Sequence, residues 1–418
     1  MVFKVVGGSH MRMVALVVVI IVARASSIGQ CTDELILDNT AELVRFGIDS
    51  TDHWWAITRP FADRYEVVID GEVVGSYEQV QQPIFSFDGT TWAFRAATAQ
   101  RSFIATNGGV RQFATIIDTI VLPSQSTDLW YVERNGTDWL LTNGSSQYRS
   151  IYSIKNVCLH PHGLIAAWIE KLPEGVLLMR NGTEIARGED LILGGVMMSG
   201  ECLYAVRSGG RWDIKVGETT IAEGLSKVAA LQTNPLGDVA AWIAYSFSAP
   251  PRVQMYSPEF IEPWSSLPLD SVSETLVLSP FSALVAYHAI INRSRSVGFN
   301  GAAYPRGTQA GRPIFSHDGQ TMAYASYQDE NYVVVNGKRH RIDARVPLNS
   351  PLTINSMGTK AAWTSTTTLV SVDLEFETLT MGKMCDAVSD PIYDRERRTF
   401  RAIGVITGRL YLLECSAR

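Results

Sequence analysis

One phrase recurs along almost the whole chain, and a chain written in repeats has to fold by stacking them. Its clearest copies are PIFSFDGTTWAFRA (Pro83 to Ala96) and PIFSHDGQTMAYAS (Pro313 to Ser326). Looser copies keep the order of apolar run, turn and small-aromatic pair: LHPHGLIAAWIE from Leu159, TNPLGDVAAWIA from Thr233, LSPFSALVAYHA from Leu278 and INSMGTKAAWTS from Ile354. Degenerate copies surround Trp55, Tyr131, Tyr204 and Phe400. The anchoring aromatics are then Trp55, Phe94, Tyr131, Trp168, Tyr204, Trp242, Tyr287, Tyr324, Trp363 and Phe400, about 38 residues apart, which suits a four-stranded unit.

A second signal runs out of phase with the first. Asp70-Gly71, Asn107-Gly108, Asn143-Gly144, Asn181-Gly182, Asn300-Gly301 and Asn336-Gly337 each interrupt a β-rich stretch such as ENYVVVNGKRHRI. Asn or Asp followed by Gly tolerates the two positive φ angles of a type I′ turn, so these pairs predict two-residue hairpins. Each repeat therefore holds two hairpins and four antiparallel strands, named a to d. No sustained 3.6-residue apolar period is present, so helices are not expected. Isolated four-stranded sheets would leave a face and an edge exposed, and radial stacking solves both problems. The expected fold is all-β, a β-propeller of about ten blades, in which the strand-b aromatic packs between neighbouring sheets. Ten is more than most propellers carry. One closed ring is the favoured reading, and two five-bladed rings, parted in the 45-residue gap between Trp242 and Tyr287, are the alternative.

These residues resemble the WD40-like, TolB-type propeller repeats of secreted bacterial proteins, whose blade reads approximately P-x-F-S-P-D-G-x-x-x-A-Y and then V-V-V-D-G. The match is specific in Pro83 to Ala96 and Pro313 to Ser326, although Phe87 and His317 replace the family's proline. The chain does not match TolB itself, because no room for an N-terminal α/β domain precedes the first repeat. TolB's own partners are accordingly not implied.

The ends of the chain are in complementary phase. GRLYLLECSAR at the C-terminus reads as strand c of the tenth unit, and ELILDNTAELVRFG near the N-terminus reads as a c-to-d pattern, so the N-terminal segment is expected to complete the last blade. Before it, Met13 to Ala23 is an apolar run of 11, too short to span a bilayer and of signal-peptide length, followed by small residues that suit cleavage after Ala25. Residues 1–30 are thus read as signal peptide and leader, and 31–418 as the propeller. That leader predicts a secreted or periplasmic protein without a membrane span. Export permits disulfides. Closure brings Cys31 near the last blade, which carries Cys385 and Cys415, and the preferred bridge is Cys31 to Cys415, with Cys158 and Cys202 left as buried free thiols.

Chemistry is harder to find. The balance of 36 Lys and Arg against 42 Asp and Glu gives a net charge of −6, which argues against nucleic acid as a partner. No Gly-x-Ser-x-Gly elbow is present, and the 7 His residues fall mostly in turns. His160-Pro161-His162 lacks a third ligand at recognisable spacing and reads as a turn. Ser86 to Trp92 lacks a residue of the sialidase-type Asp-box and also reads as a turn. Sequons at Asn135, Asn143, Asn181 and Asn292 mostly coincide with turns. No catalytic residue, metal ligand or cofactor site is assigned. The leading reading is a binding scaffold for a protein or an acidic ligand; the alternative is a propeller enzyme, a hydrolase or lyase acting on glycans or peptides. A docking rim is expected where a basic residue follows strand b in the first seven repeats: Arg59, Arg95, Arg134, Lys171, Arg207, Arg252 and Arg293.

Overall fold

A computed structural model describes residues 31–38, 41–260, 262–305, 307, 309–347 and 351–417; the leader assigned to 1–30 lies outside the described residues. Among them the secondary structure is strand and turn throughout, in ten antiparallel sheets. Blade 1 shows the pattern: a, Glu42–Ile48; b, Trp54–Phe61; c, Arg64–Ile69; d, Glu72–Tyr77. Blade 10 takes a from Ala387–Val388 and Ile392–Asp394, b from Thr399–Ile406, c from Arg409–Ser416, and d from the opposite end of the chain, Cys31–Leu37. Cys31 sits opposite Cys415 in that last ladder. The N-terminal segment thus closes a ten-bladed propeller. ELILDNTAELVRFG is no hairpin, however: its first half is strand d of blade 10 and its second half strand a of blade 1. Its two halves belong to different sheets, the first paired with Arg409–Ser416 and the second with Trp54–Phe61.

Inner strands lie where the ring is tightest, and most are interrupted. Register shifts occur in strand a of blades 1, 3, 4, 5, 6 and 7, and the inner strands of blades 2, 8 and 10 are split in two. A bulge bends a strand and increases its twist, which lets a sheet follow the channel.

The strand-b aromatics behave as inter-blade packing, all ten being buried. Trp242 lies on Leu203, Ala205 and Ile214 of blade 5, Tyr324 on Ala286 and Val297 of blade 7, and Trp363 on Ala323 and Val333 of blade 8. In blades 4 to 9 an alanine beside the aromatic faces the next blade and lets its ring approach. Buried indoles also find partners: Trp168 donates to Glu170 at 2.9 Å and Trp242 to Gln254 at 2.8 Å.

Blade 1 departs from this register. Asp70 accepts a hydrogen bond from the amide of Trp54, as Asn336 does from Met322 and Asn181 from Ala166. Trp55 therefore aligns with the alanines and Ala56 with the aromatics. Ala56 packs on Ile403 and Leu410 of blade 10, while Trp55 turns forward towards Phe94.

Four of the six expected hairpins have both residues at positive φ: Asp70-Gly71, Asn181-Gly182, Asn300-Gly301 and Asn336-Gly337. At Asn107-Gly108 the two-residue turn has neither, and Gly109 takes the positive angle instead. Asn143-Gly144 opens a four-residue loop, with Thr142 paired to Gln147, because the Asn143 side chain caps the amides of Ser145 and Ser146. The long Trp242–Tyr287 interval is filled by extended connections within blade 6, whose Ala241, Ile243 and Met255 share one core with Val285 and Tyr287 of blade 7. The ring is continuous there, and two separate five-bladed rings are excluded.

Candidate binding channel

Strands alternate in direction, so a–b and c–d turns emerge on one face of the ring and b–c and d–a connections on the other. On the first face the a–b turns are stitched into a belt. His53 meets the Gly89 carbonyl across seam 1–2, Asp88 donates to Ser124 across 2–3, Gln125 to Pro161 across 3–4, and Met198 to Gly237 across 5–6. Asn234 donates to Pro280, Ser279 to Gly319, Thr321 to Ser356 and Asn355 to Ala417 across the next four seams. Asp52 and Arg401 join blades 1 and 10. The repeated turn is thus the fastener between sheets as well as a hairpin.

His160 explains its own turn. Its Nδ1 accepts from the amide of His162 at 3.1 Å, so Nε2 carries the proton and donates to Met198 across seam 4–5 at 3.1 Å. Both nitrogens are used, in keeping with the structural reading of His160-Pro161-His162. Ser86 likewise donates to Asp88 at 2.6 Å and accepts from the Thr91 amide, closing its turn internally.

The belt is not round. Ser124 of blade 3 donates to the Pro235 carbonyl of blade 6 at 2.5 Å, and Phe87 of blade 2 packs against Phe281 of blade 7 with ring centroids 5.5 Å apart. These contacts cross the channel and pinch it into two lobes. Blades 3 to 6 enclose a cavity of about 290 Å³, lined by Leu122, Cys158, Gly195 and Asn234 among others. On the other side, blades 10, 1 and 2 wall a larger cavity of about 460 Å³, lined by Arg45, Trp55, Gln82, Ser389 and Asp390.

Two charged clusters hold the region where the chain ends meet. Arg401, 4% exposed on strand b of blade 10, faces Glu414 at 2.8 Å, Asp394 at 3.6 Å and Asp52 of blade 1. Burial raises the Asp52 carboxyl above its ordinary value, against the pull of Arg401. Beside it lies the disulfide joining Cys31 to Cys415, with Cα atoms 4.1 Å apart. Cys202 and Cys385 are buried thiols and Cys158 is half-buried; burial pushes Cys158 up to about 11 and Cys202 to about 12, so both stay protonated and unreactive at neutral pH. At seam 1–2, His53 Nδ1 lies 2.6 Å from Asp70 and Nε2 3.0 Å from the Gly89 carbonyl. Both partners are acceptors, so only the imidazolium satisfies both. Desolvation lowers its pKa, but the Asp70 hydrogen bond and charge outweigh this and raise it above 6.5. Sequence reasoning missed Arg401 and His53. The one available signal was an arginine inside the apolar strand TFRAIGVI.

The seven rim cations fall in unlike places. Arg95 points into seam 2–3, where its guanidinium donates to the carbonyls of Ile117 and Asp118. Arg59 is bound to Glu42 and Arg207 lies 3.9 Å from Glu189. Arg134 stacks on Trp139, Arg252 begins strand c and donates to Ser266, and Arg293 occupies the b–c turn at φ 63. Lys171 is exposed near the end of its strand.

No protein family and no characterised protein sequence matches the chain. Among solved structures it is similar to a eukaryotic initiation factor (12% identity, TM-score 0.46, 73% of this chain and 88% of that one). It is also similar to an oligogalacturonate lyase in complex with manganese (10%, 0.38, 93% and 98%) and to TolB from Acinetobacter baumannii (12%, 0.27, 61% and 80%).

Proposed function

We propose that this propeller is an exported binding scaffold that receives a protein partner on its a–b face. The observation that carries the reading is that this face is both stitched and apolar. Leu164, Met198, Phe281 and Met357, from the turns of blades 4, 5, 7 and 9, are 74%, 38%, 40% and 70% exposed on it. Apolar side chains presented by turns that are already tied together need little backbone ordering on association, which favours binding. The Cys31–Cys415 disulfide supports an oxidising compartment. The test is capture of the partner from the native secretome or periplasm, followed by titration with Leu164→Glu and Met357→Glu. We expect each to weaken binding at least tenfold; unchanged affinity in both would refute the face. A basic rim on the other face is a separate proposal. Reversing Arg134, Lys171 and Arg207 together should lower affinity and flatten its salt dependence, and no change in either would remove the rim.

A further inference from the structure

The wide lobe of the channel contains two opposite charges that share one cavity without meeting. Arg45 comes from strand a of blade 1, immediately after the bulge between Leu43 and Arg45, and Asp390 comes from the inner edge of blade 10. Both side chains are exposed, both line the cavity of about 460 Å³, and among the described residues neither has an ion-pair or hydrogen-bond partner. Elsewhere around the ring comparable charges do pair, as Lys227 with Glu274 and Arg401 with Glu414. The surrounding protein raises the Asp390 carboxyl above its ordinary value by desolvation, with no cation offsetting it.

The positions are held rather than loose. Ser389 accepts from the Ile403 amide at 2.9 Å and donates to the Asp390 carbonyl at 3.1 Å, tying this edge to strand b. Across the cavity Gly47 lies opposite Trp55, and a Cβ there would come within 3.0 Å of the indole, so glycine makes room for the ring that backs the site. Gln82 of blade 2 adds a neutral group that can donate or accept. A simple anion would answer Arg45 and leave Asp390 desolvated; a simple cation would do the reverse. A molecule carrying both charges answers both.

We propose that this cavity binds a small zwitterion, an amino acid or short peptide that presents its carboxylate to Arg45 and its ammonium group to Asp390. The site is independent of the partner-docking face, since its residues lie on the strands of blade 1 or in the breaks of the inner strands of blades 10 and 2, and not in the exposed a–b turns. Calorimetric titration of the full mature protein with glycine and with diglycine tests it, with acetate and methylammonium as single-charge controls. We expect saturable binding of at least one zwitterion, weakened about tenfold or more by Arg45→Gln and separately by Asp390→Asn, with melting temperatures unchanged because neither side chain supports the fold. No saturable binding of either zwitterion up to about 10 mM would overturn the proposal. So would acetate or methylammonium binding as tightly as the zwitterion, or a zwitterion affinity that survives both substitutions.

Discussion

Seam 8–9 and the closing region around blade 10 hold sheets together by different means. At seam 8–9, Trp363, Val370 and Val372 of blade 9 pack on Ala323, Val333 and Val335 of blade 8 in one continuous apolar cluster. Around blade 10 the apolar contacts are joined by a buried arginine, three carboxylates and a disulfide. The difference follows from covalent order. Blades 8 and 9 each form from one continuous stretch and meet as neighbours, whereas blade 10 must recruit a strand from 384 residues away, against a large loop-closure entropy. Strand Cys31–Leu37 is mostly exposed, so burial specifies its register weakly, and the directional and covalent links fix it.

Removing strand Cys31–Leu37 should have the largest effect, because it exposes the whole edge of Arg409–Ser416 and deletes the disulfide. The melting temperature should fall by more than about 10 °C in thermal denaturation, and an unchanged value would show that the ring does not depend on this strand. Trp363→Ala and Arg401→Met then compare the two seams. Cavity formation should cost about 4 kcal/mol at Trp363, and removal of the cation that Asp394 and Glu414 share about 3 kcal/mol at Arg401, both from denaturant unfolding. A negligible loss at Arg401 would mean that the closing region is held by apolar contact like any other.

Gly237→Ala sharpens the comparison at the turn belt. Its φ is +70, and a Cβ would lie 2.9 Å from the backbone nitrogen of Met198 in blade 5, which cannot yield as a side chain would. A loss of about 1–3 kcal/mol is expected. The smallest effect is at His53. Its folded pKa is raised, so its stabilisation is full below 6.5 and fades as pH rises through the folded value. Melting temperature should fall over that window in the wild type and fall less in His53→Gln; parallel profiles would remove His53 as a latch.

The fold was largely legible because the repeat encodes it locally. Turn residues, alternating strands and strand-b aromatics all describe contacts within a blade or with the next one. Trp55 misled because Trp54, Trp55 and Ala56 offer two registers, and only the Asp70 clamp on the Trp54 amide distinguishes them. The pinch was not legible, since Ser124 and Pro235 are 111 residues apart and carry no motif in common. The seven cations looked equivalent by their distance from strand b, but a one-residue step along a strand turns a side chain to the other face, and Arg95 turns into the seam. Arg45 and Asp390 are unremarkable in sequence. Their relation exists only because closure sets blade 10 beside blade 1.

Closure by the N-terminal strand is the central claim, and the Cys31–Cys415 link reads it most directly. Peptide mapping of the protein under non-reducing conditions, with free thiols alkylated in denaturant, should recover one cross-linked pair containing Cys31 and Cys415, and alkylated Cys158, Cys202 and Cys385. Recovery of Cys31 and Cys415 as separately alkylated peptides would contradict the link, and a bridge from Cys31 to Cys158 or Cys202 would contradict the closure itself.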